Sequence, residues 1–205
     1  MLEILTGLGL SAAAGLNAYI PLLALGLAGR FLDFVTLPAG WAWLSNEWVL
    51  GILGVLLVIE LVADKIPVVD TVNDWIQTVV RPAAGGIVFG TGASTETNAI
   101  ADPAQFFENN NWVPIVMGIV ISLSVHLTKM AARPALNALT FGAAAPIAST
   151  LEDAGSVTLT ILAILLPVFV IVALAGIVLV FVAIFRRARR KRAQDATGIP
   201  SVQAR

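Results

Sequence analysis

The sequence predicts an all-α, polytopic membrane protein with about six transmembrane or half-length helices. Only 12% of the 205 residues are charged and 58% are hydrophobic, whereas soluble domains carry about 25% charged residues. The mean hydropathy is +0.90, and lipid can cover apolar faces that so few charges could not keep in water. Cysteine is absent, which excludes disulfides, a thiol nucleophile and a thiolate metal site.

The first apolar segment, about residues 4–28, is long enough to span a bilayer and contains Asn17, Tyr19 and Pro21 among small residues. No basic residue precedes it, so we expect a retained helix rather than a secretory signal peptide. Close helix packing through Gly and Ala is the favoured interpretation. The alternative is a broken helix beside a cavity, where Asn17 and a carbonyl freed by Pro21 meet a solute. The aromatic-rich loop that follows, residues 30–47, is expected at the membrane interface.

The second segment, Trp48 to about Lys65, carries two acids near its end. Glu60 and Asp64 are four residues apart and therefore share one helix face. An acid at the centre of a membrane helix costs about 2.5–3.5 kcal/mol on insertion scales. We therefore expect Glu60 to face the protein interior, to find a cationic partner or to stay protonated.

After Pro67, residues 70–80 form a short amphipathic candidate helix. Asp70 is placed to cap it, and Asp74 follows one turn later. This pair is the only candidate metal site, for a divalent cation held with the help of phosphate. A cap followed by a solvated face is the preferred interpretation. Residues 77–93 then form a Gly-rich third segment that crosses the membrane or dips in and returns.

Three further segments complete the chain. The fourth, residues 112–130, brings His126 and Lys129 close to one helix face, which Arg133 shares if the helix persists. The fifth, residues 134–149, is short, contains Asn137 and is followed by Glu152 and Asp153. The sixth, residues 157–185, is a clear span, and the basic tail 186–205 is expected to be cytoplasmic and disordered.

Two stretches of the membrane domain, residues 1–185, resemble each other. RPAAGGIVFG at 81–90 and RPALNALTFG at 133–142 share Arg, Pro, Ala, Phe and Gly at the same spacing. Residues 46–65 also align with residues 110–129. We therefore predict parallel helix-hairpin repeat units at about 46–93 and 110–149.

Charge predicts the orientation in the membrane. Placing the basic cluster 186–192 in the cytoplasm and counting back through six crossings puts both termini inside. Lys65, Arg81, Lys129 and Arg133 then lie on the inner side, and the outer loops receive most acids, including Glu152 and Asp153.

Three stretches together resemble a bacterial integral-membrane family known only as domain of unknown function 4126. They are AAAGLNAYIPLLALGL (12–27), VADKIPVVDTVNDWIQTVVRPAAG (62–85) and HLTKMAARPALNA (126–138) followed by LEDAGS (151–156). The resemblance covers most of the chain apart from the loops and tail. It implies an inner-membrane location and supplies no mechanism.

The candidate site is a set of polar and charged residues inside the membrane domain, with an ion-pair network as the favoured structural role. Its members are Asn17, Glu60, Asp64, Lys65, Arg81, His126, Lys129, Arg133 and Asn137. The leading functional hypothesis is a small solute or ion transporter or channel, in which Glu60 carries a proton or cation.

Two other functions stay open. The first is an enzyme or flippase that handles a lipid phosphate at the inner leaflet, although no nucleophile–base arrangement supports catalysis. The second is a non-catalytic accessory subunit that binds partners through the small-residue faces of segments one, three and five. The expected partners are the lipid bilayer, with anionic phospholipid or lipid phosphate, and a second copy or a membrane complex. Neither a cofactor nor nucleic-acid binding is implied.

Overall fold

The computed structural model describes residues 2–92, 112–140, 145–179, 182–183 and 186. Within these ranges, only the backbone is described for residues 67–71, 133–140 and 145. The described residues contain helices and no strand, so the predicted all-α class is confirmed.

Seven α-helices and one separate 3-10 helix follow one another along the described chain. They are α1 (Leu2–Leu16), α2 (Tyr19–Phe31), the 3-10 helix Ala39–Ser45, α3 (Glu47–Ala63), α4 (Pro67–Gly92), α5 (Trp112–Thr140), α6 (Ala145–Leu165) and α7 (Pro167–Leu179), which opens with a 3-10 turn.

Two described helices are long and apolar enough to cross a membrane, over Trp112–Ala132 and Pro146–Leu165. A third crossing is added if the 3-10 helix and α3, which meet at 63°, count as one bent span. Helices α1, α2 and α7 are apolar but shorter. The chain is thus a polytopic helical membrane protein, and its described part combines full-length spans with shorter apolar helices.

The outer surface of α3 is apolar and its buried surface is small. Of its 17 residues, only Leu53, Glu60 and Ala63 are buried. Large apolar side chains such as Ile52, Val55 and Val58 are exposed on the rest of the helix. A surface of this kind is stable against lipid and not against water.

The first half of α4 also exposes apolar side chains and buries a polar one. Val72, Trp75, Ile76 and Val79 are exposed, whereas Asp74 is only 7% exposed. The solvated acidic face expected for residues 70–80 is therefore wrong at Asp74, because the helix turns its apolar side outwards and its polar side towards the protein.

Helix α1 lies at the centre and packs against α4, α5 and α6. Small side chains make this possible: a Cβ at Gly9 would come within 2.8 Å of Ala163 and Val170, and one at Gly15 within 2.6 Å of the Ser122 carbonyl. Backbones this close are typical of helix packing in membranes. The close packing favoured for the first segment is therefore present.

Two predicted boundaries are wrong, because the chain stays helical between the 70–80 and 77–93 segments and through Pro134. Residues 70–92, expected as a linker and part of a separate segment, lie in one helix, Pro67–Gly92, with Pro82 inside it. Helix α5 runs through Pro134 to Thr140, so residues 134–140 belong to α5 and not to a separate fifth segment. Membrane helices tolerate proline where neighbouring groups satisfy the freed carbonyls. The chain turns at 64–66 in the first repeat unit but not at 130–132 in the second, so the repeat stays a prediction from sequence.

Candidate functional site

The first apolar segment is broken in its middle, and Asn17 organises the break. Its Oδ1 accepts hydrogen bonds from the backbone N–H groups of Tyr19 (3.1 Å) and Ile20 (3.2 Å), which caps the start of α2. Its Nδ2 donates to Asp153 Oδ1 on α6 at 3.0 Å. Because Asn17 occupies the Tyr19 N–H, the Gly15 carbonyl at the end of α1 is released from the regular helical pattern.

Arg81 of α4 receives that released carbonyl. Its Nη1 lies 3.4 Å from the Gly15 oxygen, and its Nη2 donates to Glu60 Oε1 at 2.8 Å. A guanidinium at the end of α1 also meets the negative end of the helix dipole. The Arg81 and Glu60 side chains are 0% and 1% exposed, so this pair is excluded from solvent.

Asp64 links Arg81 to a second buried base. Its Oδ2 is 3.8 Å from Arg81 Nη2 and 3.5 Å from Lys129 Nζ, and its Oδ1 accepts from Asn73 at 2.8 Å. Lys129 in turn lies 2.7 Å from Glu152 on α6. A continuous series of ion pairs therefore joins α3, α4, α5 and α6. We call Glu60, Asp64, Arg81, Lys129 and Glu152 the charge cluster.

His126 of α5 connects to the charge cluster through Arg81. Its Nδ1 is 3.3 Å from Arg81 Nη1, and since arginine only donates, Nδ1 is the acceptor. Its Nε2 is then the protonated nitrogen and donates to Thr78 Oγ1 at 3.1 Å. The Thr78 hydroxyl in turn donates to the backbone carbonyl of Asp74 at 2.9 Å. This geometry is that of the neutral imidazole.

The helices that carry the cluster are held at close range by Ser122 and two glycines. The Ser122 hydroxyl of α5 donates to the Arg81 carbonyl at 2.7 Å. A Cβ at Gly118 would collide with the Gly85 carbonyl, and one at Gly85 with the Ser122 side chain. The α4–α5 crossing therefore requires glycine, and it fixes Arg81 opposite His126.

One comparison with known proteins identifies the family. The family model described as Domain of unknown function (DUF4126) matches residues 4–187. The chain belongs to this family. The family match confirms the resemblance seen in the sequence. No curated protein and no solved structure matches the chain.

Six of the residues predicted for the site of this DUF4126 protein are brought together and buried. They are Asn17, Glu60, Asp64, Arg81, His126 and Lys129. Lys65 is exposed, and its Nζ donates to the Leu61 carbonyl at 3.1 Å, so it is not part of the charge cluster. The side chains of Arg133 and Asn137 lie outside the described residues.

The candidate cation site at Asp70 and Asp74 is not tested by the structure. The side chain of Asp70 lies outside the described residues, and that of Asp74 is buried. Among the described residues, no group of three or more His, Cys, Asp or Glu side chains is arranged to hold a metal ion.

Sequence reasoning missed the two acids of α6. Glu152 and Asp153 were assigned to an outer loop, across the membrane from Lys129. That assignment is wrong because Glu152 lies 2.7 Å from Lys129, so both side chains are at one depth. Two adjacent acids inside an otherwise apolar helix were the available signal, since such acids normally pair with a buried base.

Proposed function

We propose that this DUF4126 protein is a small transporter or channel for a proton or another small cation, with Glu60 as the ion-carrying group. The observation that supports this most is the burial of Glu60 in a charge cluster beside a broken membrane helix. Discontinuous helices that expose carbonyls at mid-membrane are a recurring feature of transporter sites. We place the protein in the bacterial inner membrane with its C-terminal tail in the cytoplasm, because the basic cluster 186–192 follows the last apolar segment. An even number of crossings places the N-terminus in the cytoplasm as well.

The cluster suits ion exchange because its bases have alternative partners. Arg81 binds Glu60 at 2.8 Å and has Asp64 at 3.8 Å. Lys129 has Asp64 at 3.5 Å and Glu152 at 2.7 Å. When a proton or cation neutralises Glu60, Arg81 can move towards Asp64 without losing every counter-charge. A bistable arrangement of this kind is what alternating access requires.

The buried pairing of the bases weighs against the lipid-phosphate hypothesis. Arg81 and Lys129, the described bases of the cluster, are at most 1% exposed and are engaged by acids. A phosphate would have to displace those carboxylates and reach a site that the protein covers.

The small residues of α1 and α4 pack against other helices of the same chain, which weighs against the accessory-subunit hypothesis. That hypothesis needs the small-residue faces of the first, third and fifth segments to bind another protein, and most side chains of the fifth lie outside the described residues. Gly9 and Gly15 instead lie against α5, α6 and α7, and Gly85 lies against α5. These faces are occupied within one chain.

The test is ion flux in liposomes that contain the purified full-length protein. We expect proton or monovalent-cation flux above that of empty liposomes, and we expect Glu60→Gln to abolish it because an amide cannot carry the charge. Glu47→Gln is the matched control, because Glu47 is exposed and its partner Arg30 is not buried.

Two results would contradict the proposal. One is a wild-type protein, shown to be folded and inserted, that moves no proton or monovalent cation. The other is a Glu60→Gln protein with the same flux as wild type and as Glu47→Gln. Retention of an anionic lipid that is lost on Arg81→Ala would instead favour lipid handling.

A further inference from the structure

Three neighbouring side chains each retain one buried polar atom that has no hydrogen-bond partner in the described part of the chain. The atoms are Glu60 Oε2, Arg81 Nε and Gln77 Oε1. The three side chains are 1%, 0% and 2% exposed, so bulk water does not reach them. Buried polar groups of this kind are normally satisfied by protein or by bound water.

The three side chains belong to one place in the fold. Gln77 and Arg81 are four residues apart on α4, so they are neighbours on one helix face. Arg81 binds Glu60 directly through Nη2. Tyr19 of α2 lies beside Gln77 and close to Glu60, and it is only partly buried.

The unmatched atoms comprise one donor and two acceptors. Arg81 Nε offers a hydrogen, whereas Glu60 Oε2 and Gln77 Oε1 offer oxygen lone pairs. A water molecule complements this set, because it accepts one hydrogen bond and donates two, and buried waters typically make about three. A metal cation would suit the oxygens but would be repelled by the adjacent guanidinium.

We propose that a water molecule is bound among Glu60, Gln77 and Arg81, and that it delivers the transported proton to Glu60 Oε2. The second clause rests on the proposed transport function. The step is balanced: as the bound water takes up an incoming proton on its oxygen, it gives one of its own protons to Glu60 Oε2, which leaves water and a neutral carboxylic acid. No hydronium ion therefore has to reside beside the guanidinium. The partly buried Tyr19 marks the side from which protons arrive, and Gln77 is a positioning residue that holds the water.

The test combines structure and flux on the full-length protein. High-resolution crystals grown in lipid should show a density peak within hydrogen-bonding distance of the three atoms, with no anomalous signal after a thallium(I) soak. Gln77→Leu removes one acceptor, so it should lose the peak and slow proton flux about tenfold. Thr160→Val is the control, because it also removes a buried oxygen without a partner, but on α6.

The outcomes separate this inference from the proposed function. No peak in the wild type would overturn the water site, and a thallium signal would replace the water by a metal cation and overturn it equally. An unchanged flux in Gln77→Leu would overturn the delivery role. A peak in a protein that moves no protons would support the water site and overturn the transport function.

Discussion

The Arg81 guanidinium donates from Nη2 to Glu60 Oε1 at 2.8 Å while the two side chains are 0% and 1% exposed. Two charges in so dry a place are stable only because each compensates the other. Asp64 lies near the same guanidinium, and the end of α1 points the Gly15 carbonyl at it. Arg81 is therefore the cation on which several acceptors from different helices depend.

Replacing Arg81 by Met should strongly destabilise the protein. The change leaves Glu60 and Asp64 buried without their shared cation, and breaking a buried pair costs about 3–5 kcal/mol. The measurement is the free energy of unfolding in mild detergent. The control is Arg30→Met, whose pair with Glu47 is 39% and 73% exposed and should change stability by about 1 kcal/mol or less. Equal small losses in both variants would show that Arg81 has no structural role in the cluster.

Replacing Gly118 by Leu should prevent α4 and α5 from packing. A Cβ at this position would meet the Gly85 carbonyl and come within 2.6 Å of Phe89 Cβ. The Gly85 carbonyl belongs to the backbone of α4, so it can move away only if α4 and α5, which hold Arg81 and His126, separate. We expect little monodisperse protein by size-exclusion chromatography in detergent.

The matched control for that substitution is Gly51→Leu. Gly51 lies on the lipid-facing surface of α3, where an added Cβ meets nothing within 4 Å. It should express and elute like the wild type. If Gly118→Leu also behaved like the wild type, the close α4–α5 crossing would be wrong.

The sequence was sufficient to predict the membrane class and most members of the charge cluster, for a physical reason. A charged side chain inside an apolar helix must find a partner, so Glu60, Arg81 and Lys129 could be expected to meet. Which acid meets which base was not predictable, because that depends on helix boundaries. A separate fifth segment was expected to begin at residue 134, where α5 in fact continues, and this error moved Glu152 to the wrong side.

The break at Asn17 shows the same limit. Asn17 and Pro21 suggested an interrupted helix, but the small residues around them favoured a closely packed one. Both features are present: α1 is tightly packed and ends at Leu16, one residue before Asn17. The deciding contact is with Asp153, which is 136 positions away and therefore invisible to local pattern.

Replacing Asn17 by Ala should destabilise the break between α1 and α2. It removes two caps on backbone N–H groups and the donor to the Asp153 carboxylate. Losing these buried bonds should cost about 2–4 kcal/mol. The readout is thermal unfolding in mild detergent. The matched control is Asn46→Ala, which removes a single exposed cap on Trp48 and should cost about 1 kcal/mol. A smaller loss for Asn17→Ala than for Asn46→Ala would contradict the assigned contacts.

The contact between Lys129 and Glu152 should appear as energetic coupling between α5 and α6. Their charged groups lie 2.7 Å apart, and their side chains are 0% and 12% exposed. Lys129→Met and Glu152→Gln should each destabilise the protein, and the double variant should lose less than the sum. A coupling of about 0.5–3 kcal/mol is expected for residues in direct contact.

The control cycle pairs Lys129→Met with Glu47→Gln, because Glu47 is 73% exposed and binds Arg30 instead. Those two changes should add, since distant sites without shared partners are independent. Additivity in both cycles would place Glu152 away from Lys129. It would then restore the arrangement in which residues 134–149 cross the membrane and carry the acids of α6 to the opposite side.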